Sequence, residues 1–336
     1  MEAVQTFTPP QPLNTAVLFL IFNRLDTTKL VFEAIRRAKP PRLYIAADGY
    51  RPDRAGEDAK VREVRNYVLN NIDWTCEVKT LFRDRNMGCG VAVSNAIDWF
   101  FESEETGIIF EDDVLPDVSF FPFCEELLAR YKNVSQVMII SGNYFAGEKY
   151  RPAESYYFSK YPHMWGWATW RRAWKRNDRQ MTEWPKLKRT NFLRLLADQN
   201  RFFINYWSKI FDRVHAGSAD IWDYHFTFAC WANQGLSIMP GRNLVKNIGF
   251  GTQGTHTFDD SNWIAKLPLE RAEFPLIHPT VVERNLSADR WSDRYVFGIT
   301  FIASLKSWLT QQPGGYVMAR MYRFFKRILQ GKTKLW

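Results

Sequence analysis

Gly107-Ile108-Ile109-Phe110-Glu111-Asp112-Asp113 is a short apolar run that ends in three consecutive carboxylates. Like charges clustered at the end of a buried strand are electrostatically costly. A hard divalent cation removes that cost, and carboxylates together with substrate phosphates are the usual ligands of Mg2+ or Mn2+. The stretch reads as a metal–diphosphate site at the carboxyl end of a strand. The simpler alternative is a solvated acidic turn that caps the following helix.

The flanking sequence carries the same rhythm. Upstream, Ala16–Phe22 is strand-like and precedes a helix near Thr27–Ala38. Leu43–Ala47 ends at Asp48-Gly49, ahead of a charged helix near Ala55–Asn70, and Glu77–Phe82 precedes a helix near Cys89–Glu102. Downstream, Phe120–Tyr131 reads as helix and Val137–Ile140 as strand. Apolar strands alternating with helices argue for an α/β sheet covered on both faces, with ligands beyond the carboxyl ends of the strands. Asp48 and the acidic triplet both fall at such ends. Residues 150–300 are richer in Trp, Tyr and Phe and are expected to shape an acceptor side. The expected division is an irregular lead-in (1–14), one domain (15–298, with halves 15–145 and 146–298) and a C-terminal extension (299–336).

At 336 residues and 46% hydrophobic content the chain can bury a large core. The net charge of +9 favours an anionic partner. Nucleic acid would fit the charge, but no recognised reading motif is present. Four cysteines, Cys76, Cys89, Cys124 and Cys230, lie too far apart for a CxxC pair or zinc spacing, so reduced thiols in a cytoplasmic protein are expected. There is no signal-peptide core at the N-terminus and no run long enough to span a bilayer. From Thr300 to Trp336 seven Lys/Arg mix with aromatic residues and no Asp or Glu. This reads either as an amphipathic extension on an anionic membrane surface, at the inner face of the cell membrane, or as a helix packed on the domain.

Several pieces follow one another over residues 15–260: Ile21-Phe22-Asn23-Arg24, Ala46-Ala47-Asp48-Gly49, Arg85-Asn86-Met87-Gly88-Cys89-Gly90, and the acidic triplet followed by Pro116 and Phe120-Phe121. Next come Trp165-Gly166-Trp167-Ala168-Thr169-Trp170-Arg171-Arg172-Ala173-Trp174, then Asn247-Ile248-Gly249-Phe250-Gly251 with Thr255-His256-Thr257. In this order and spacing the chain resembles a GT-A-fold, nucleotide-sugar-dependent glycosyltransferase. It is similar to the bacterial family-2-like enzymes sometimes described as haemolytic proteins and, more distantly, to N-acetylglucosaminyltransferase I. The C-terminal extension lies outside the resemblance.

The resemblance implies a Rossmann-like, mixed but mostly parallel sheet flanked by helices, and an Mn2+ or Mg2+ cofactor. It places Asp113 on the metal, with Glu111 and Asp112 near ribose, sugar or metal. It places Asp48 on a uracil ring, hence a UDP-sugar donor, and it implies His256 as a second metal ligand. By its own chemistry Asp48 could instead cap the Asp-Gly turn, and His256 could be a loop residue. Asn23 and Arg24 sit just past the first strand, where Arg24 either grips ribose or phosphate or pairs with Asp26. Arg83, Arg85 and Gly88 offer positive charge and close backbone approach before a helix.

A hydroxyl acceptor needs a general base. Asp223 opens a helix and resembles the base of inverting GT-A enzymes; a plain N-cap is the alternative, Asp220 competes for either role, and His225 is a weaker choice. Trp167, Trp170 and Trp174 are spaced as one face of a helix. His163 and Trp165 are better candidates for a sugar pocket; Arg171 and Arg172 could bind a phosphate on donor or acceptor, with a solvated helix face as the simpler account. The expected activity is metal-dependent, inverting transfer from a UDP-sugar to a surface polysaccharide, lipid-linked glycan or protein. The alternatives are a nucleotidylyltransferase, which would want an early Gly-rich phosphate loop, and a non-catalytic carbohydrate- or membrane-binding protein.

Overall fold

Val17–Ile21 (β1), Arg42–Ala47 (β2), Glu77–Phe82 (β3) and Thr106–Glu111 (β4) lie side by side in parallel, in the order β3-β2-β1-β4. The computed structural model describes residues 12–146, 151–218, 220–250 and 263–301. Crossover helices Leu25–Ala38 (α1), Glu57–Asn70 (α2) and Cys89–Ser103 (α3) join the four strands. Alternate residues of β1 divide between two cores: Val17, Phe19 and Ile21 face α1 and α2, whereas Leu18 and Leu20 face α3. A sheet buried on both faces accounts for the continuous apolar runs in the sequence.

After β4 the chain forms a short strand, Val114–Pro116 (β5), and the Phe-rich helix Phe120–Arg130 (α4). Rings of Phe120 and Phe121 pack on Phe110 at centroid distances of 5.8 and 5.4 Å. Each fully buried Phe is worth about 1.5–3 kcal/mol, so the strand is firmly anchored one residue before the carboxylates begin.

Val137–Ser141 (β6), Tyr156–Ser159 (β7) and Trp167–Trp170 (β8) extend the sheet. Next come four helices, Arg171–Trp174 (α5), Trp184–Leu187 (α6), Phe192–Leu196 (α7) and Arg201–His215 (α8), and then Asp223–Ala232 (α9). Leu236–Pro240 (β9), Val245–Asn247 (β10) and Leu286–Tyr295 (α10) follow. The eight-stranded order is β3-β2-β1-β4-β8-β6-β9-β7. This is the expected mixed α/β architecture, a sheet with more parallel than antiparallel pairings, flanked by helices.

One expectation needs correction. Trp167 and Trp170 do not share a helix face. They lie on β8, antiparallel between β4 and β6, and point into opposite cores. Among the described residues no helix is long and apolar enough to cross a membrane. The basic extension lies outside the described residues beyond Phe301.

Candidate functional site

A cavity of about 640 Å3 opens at the carboxyl ends of β1, β2 and β4. The start of α9 and the segment around Phe297 also line it. Its volume falls in the range of about 300–1,000 Å3 usual for small-molecule and cofactor sites.

The acidic triplet forms the floor. Asp112 is buried; its Oδ2 accepts the Phe22 N–H at 3.1 Å, and its Oδ1 accepts from Arg24 Nη2. Arg24 Nη1 donates to Asp113 Oδ2 at 2.9 Å. Burial by itself would lower the Arg24 pKa, but Asp112 and Asp113 raise it above the ordinary value. Burial also raises the carboxyls. Glu111 is pushed well up by desolvation and then by the charges of Asp113 and Asp112, and Asp112 is raised although Arg24 opposes the rise. The cluster holds more negative charge than Arg24 balances. The pairing of Arg24 is therefore with Asp112 and Asp113, not with Asp26.

β5 pairs antiparallel with β10 and brings a second segment against the triplet. Ile248 N–H donates to the Asp113 carbonyl at 2.7 Å. A Cβ on Gly249 would collide with the Asp113 carboxylate, so only glycine lets this segment lie so close.

Asp48 lines the cavity, yet its carboxylate also accepts N–H bonds from Gly49 at 2.9 Å and Met87 at 3.0 Å. Burial raises its pKa, against those bonds. Arg83 lines the cavity too. Asn23 is not part of the lining; its Nδ2 donates to Glu57 Oε1 at 2.8 Å. Arg85 is exposed and outside the lining, with its backbone pressed against Gly49. Gly88, at φ 79°, caps the start of α3. The N–H groups of that helix end are taken by Asp220, which accepts from Cys89 and Gly90 at 2.9 and 2.7 Å. The close approach permitted by these glycines therefore serves Asp220.

Asp223 lies in the first turn of α9 and lines the cavity. Its charge adds to the rise of the Glu111 carboxyl, so the two are close enough to interact. His225 is buried on α9, away from the lining. His163 and Trp165 form an aromatic wall. His163 meets Phe145 edge-on at 4.6 Å and stacks on Phe297 at 5.8 Å, and burial pushes its pKa down to about 3. Trp165 packs edge-on against Phe250 at 5.8 Å.

Arg171 requires correction as a site residue. β8 runs antiparallel to β4, so Trp170 pairs with Thr106 at the start of β4, and Arg171 follows at the far end of the sheet. There its Nη1 pairs with Glu105 at 2.6 Å. His256 lies outside the described residues.

Among the lining groups that the sequence reading missed, three stand out. Arg51 stands over the Phe22 ring at 5.5 Å, Phe297 arrives from the chain after α10, and Asn143 is buried in the lining with its Oδ1 unpaired among the described residues. Only Asn143, just after a strand in Ser141-Gly142-Asn143, carried a local signal.

No three His, Cys, Asp or Glu side chains among the described residues form a group that could hold a metal ion by themselves. The donors nevertheless fit a hard cation that draws most of its ligands from substrate: carboxylate oxygens, excess negative charge, and an Asp113 side chain still 14% exposed.

No protein-family model matches the chain. No curated protein matches it. Among solved structures the chain is similar to the mannosyltransferase PcManGT from Pyrobaculum calidifontis in complex with GDP-Man and Mn2+, at 16% identity and a TM-score of 0.35. That match covers 50% of this chain and 47% of that one. It is similar also to TarS 1-349 from S. aureus, at 10% identity and a TM-score of 0.34, covering 50% of each chain. HddC from Yersinia pseudotuberculosis matches at 9% identity and a TM-score of 0.29, over 47% of this chain and 78% of that one. This chain thus spans about half the length of the first two.

Proposed function

We propose that this chain is a metal-dependent, inverting glycosyltransferase that moves a sugar from a UDP-sugar to a hydroxyl of a glycan, lipid-linked or protein acceptor. The observation that carries this reading is that the Glu111-Asp112-Asp113 cluster and Asp223 line one cavity at the carboxyl ends of the strands. Ligands of open α/β sheets bind at such ends.

Asp113 would hold the metal, with Glu111 beside it. Bound there with the donor diphosphate, Mn2+ or Mg2+ supplies Lewis-acid neutralisation of the leaving group. Asp223 accepts the proton of the acceptor hydroxyl as its oxygen bonds to the anomeric carbon and the bond from that carbon to the diphosphate breaks. Attack from the side opposite the leaving group inverts the configuration. Trp165 and the neutral His163 offer rings to a sugar face. Asp48 and Arg83 border the end of the cavity proposed for uridine.

The test is donor hydrolysis, which needs no acceptor. UDP-glucose, UDP-galactose, UDP-N-acetylglucosamine and GDP-mannose are incubated with the protein and Mn2+. Release of UDP from at least one donor, lost on chelation and in Asp113→Ala, supports the proposal. Pyrophosphate release from UTP and a sugar 1-phosphate would instead make the protein a nucleotidylyltransferase.

A further inference from the structure

Arg24 already occupies the acidic cluster. It is the N-cap residue of α1, and its carbonyl is fixed by the Thr28 N–H at 3.1 Å and the Thr28 hydroxyl at 2.5 Å. The guanidinium is only 17% exposed, and its two arms are divided between Asp112 and Asp113. Among the described residues it is the cation paired with these carboxylates. The two contacts differ in what they could release. Asp112 is buried with both oxygens engaged, by Arg24 and by the Phe22 N–H. Asp113 is more open, and its Oδ2 is held by Arg24 Nη1.

A divalent ion at Asp113 must compete for that oxygen, because two cations on one carboxylate oxygen repel. Asp113 Oδ2, the oxygen that Arg24 holds, already lies against Gly249, so the carboxylate has little room to turn further to that side. Removing the Asp113 contact strands a buried guanidinium arm, which is costly unless another anion receives it. The diphosphate of the donor is such an anion, and the planar Arg fork suits phosphate oxygens.

We propose that Arg24 is a placeholder cation, which yields Asp113 to the incoming metal and passes the freed arm to the diphosphate. This inference rests on the metal-dependent reading above. It makes metal and nucleotide binding mutually reinforcing: each is weak alone, because each by itself completes only half of the exchange. Arg24 acts here as a positioning residue that sets the order in which the site fills.

The experiment is calorimetric titration of Mn2+ into wild type, Arg24→Gln and Arg24→Lys, each with and without UDP. Without nucleotide, Arg24→Gln binds Mn2+ about tenfold more tightly than wild type, and the tightening that UDP confers in wild type shrinks by a similar factor. Thermal melting gives a readout independent of binding heat. Metal-free Arg24→Gln melts below wild type, and Mn2+ raises its melting temperature by more than it raises that of wild type. Should Arg24→Gln not fold, Arg24→Lys carries the comparison, with one point charge in place of the fork and an intermediate Mn2+ affinity. Equal Mn2+ affinity and equal UDP coupling in wild type and variants overturn the inference and leave the metal-dependent reading standing. Absence of Mn2+ binding to any folded form, with UDP present, overturns both.

Discussion

The carboxylate of Asp220 accepts the backbone N–H of Gly90 at 2.7 Å, across 130 residues of chain. Its other oxygen takes the Cys89 N–H at 2.9 Å. The positive end of α3 is thus filled by the protein itself. Asp220 and Asp223 sit three residues apart in sequence and both line the cavity, yet the carboxylate of Asp220 is spent on a helix end whereas the charge of Asp223 is felt by Glu111.

Substitution separates the two carboxylates. Asp220→Ala removes a helix cap and lowers stability by about 1–2 kcal/mol, read as a shift in urea midpoint. Asp223→Asn leaves stability and metal-dependent UDP binding near wild type and lowers turnover by about 10^2–10^4-fold. Near-normal turnover in Asp223→Asn removes it as the base.

Gly249→Ala drives a methyl group into the Asp113 carboxylate. The displaced carboxylate weakens Mn2+-dependent UDP binding by about 10–100-fold, the usual effect of misaligning a metal ligand. Calorimetry with circular dichroism as a fold control measures this. Unchanged affinity would mean that Asp113 is not a ligand.

Lys160 is buried at 1% exposure, with Nζ 3.1 Å from Asp198, 3.4 Å from Asp293 and 2.8 Å from the Leu196 carbonyl. Lys160→Met leaves the buried Asp293 without its cation, while Asp198 keeps Arg284, and costs about 3–5 kcal/mol. Adding Asp293→Asn restores part of the loss. Denaturant unfolding of the single and double variants tests the coupling. The effect reaches the site, because Asp293 accepts the Tyr161 hydroxyl and Tyr161 stacks on Phe297 at 4.5 Å in the cavity wall.

Burial holds the His163 pKa at about 3, below its ordinary 6.5. Between those values the unfolded chain binds a proton that the folded protein refuses. The stability tied to the neutral ring is therefore complete above pH 6.5 and falls away as the pH drops toward 3. Urea midpoints of His163→Gln should fall less steeply across this window than those of wild type. Parallel curves would contradict a buried neutral ring.

The strands of the N-terminal half were legible because they are apolar runs with abrupt polar ends: β2 stops at Asp48-Gly49 and β4 at the acidic triplet. The tryptophans of β8 were misread, because i, i+3 and i+7 spacing imitates a helix stripe, and only pairing with β4 and β6 shows the residues to be extended. Arg171 stood inside a matching motif, but the antiparallel direction of β8 carries it away from the cavity. The partners of Arg24 and the task of Asp220 were hidden for a different reason. Their contacts lie 89 and 130 residues away in sequence, whereas local reading offered Asp26 and a plain N-cap.

The most direct test of the central claim is calorimetric titration of UDP, with GDP as control, with and without Mn2+, into wild type and Asp113→Ala. The account predicts that UDP binds only when Mn2+ is present, that GDP does not compete at similar affinity, and that Asp113→Ala abolishes the binding. Binding of neither nucleotide under any condition, or UDP binding indifferent to both Mn2+ and Asp113, would contradict it.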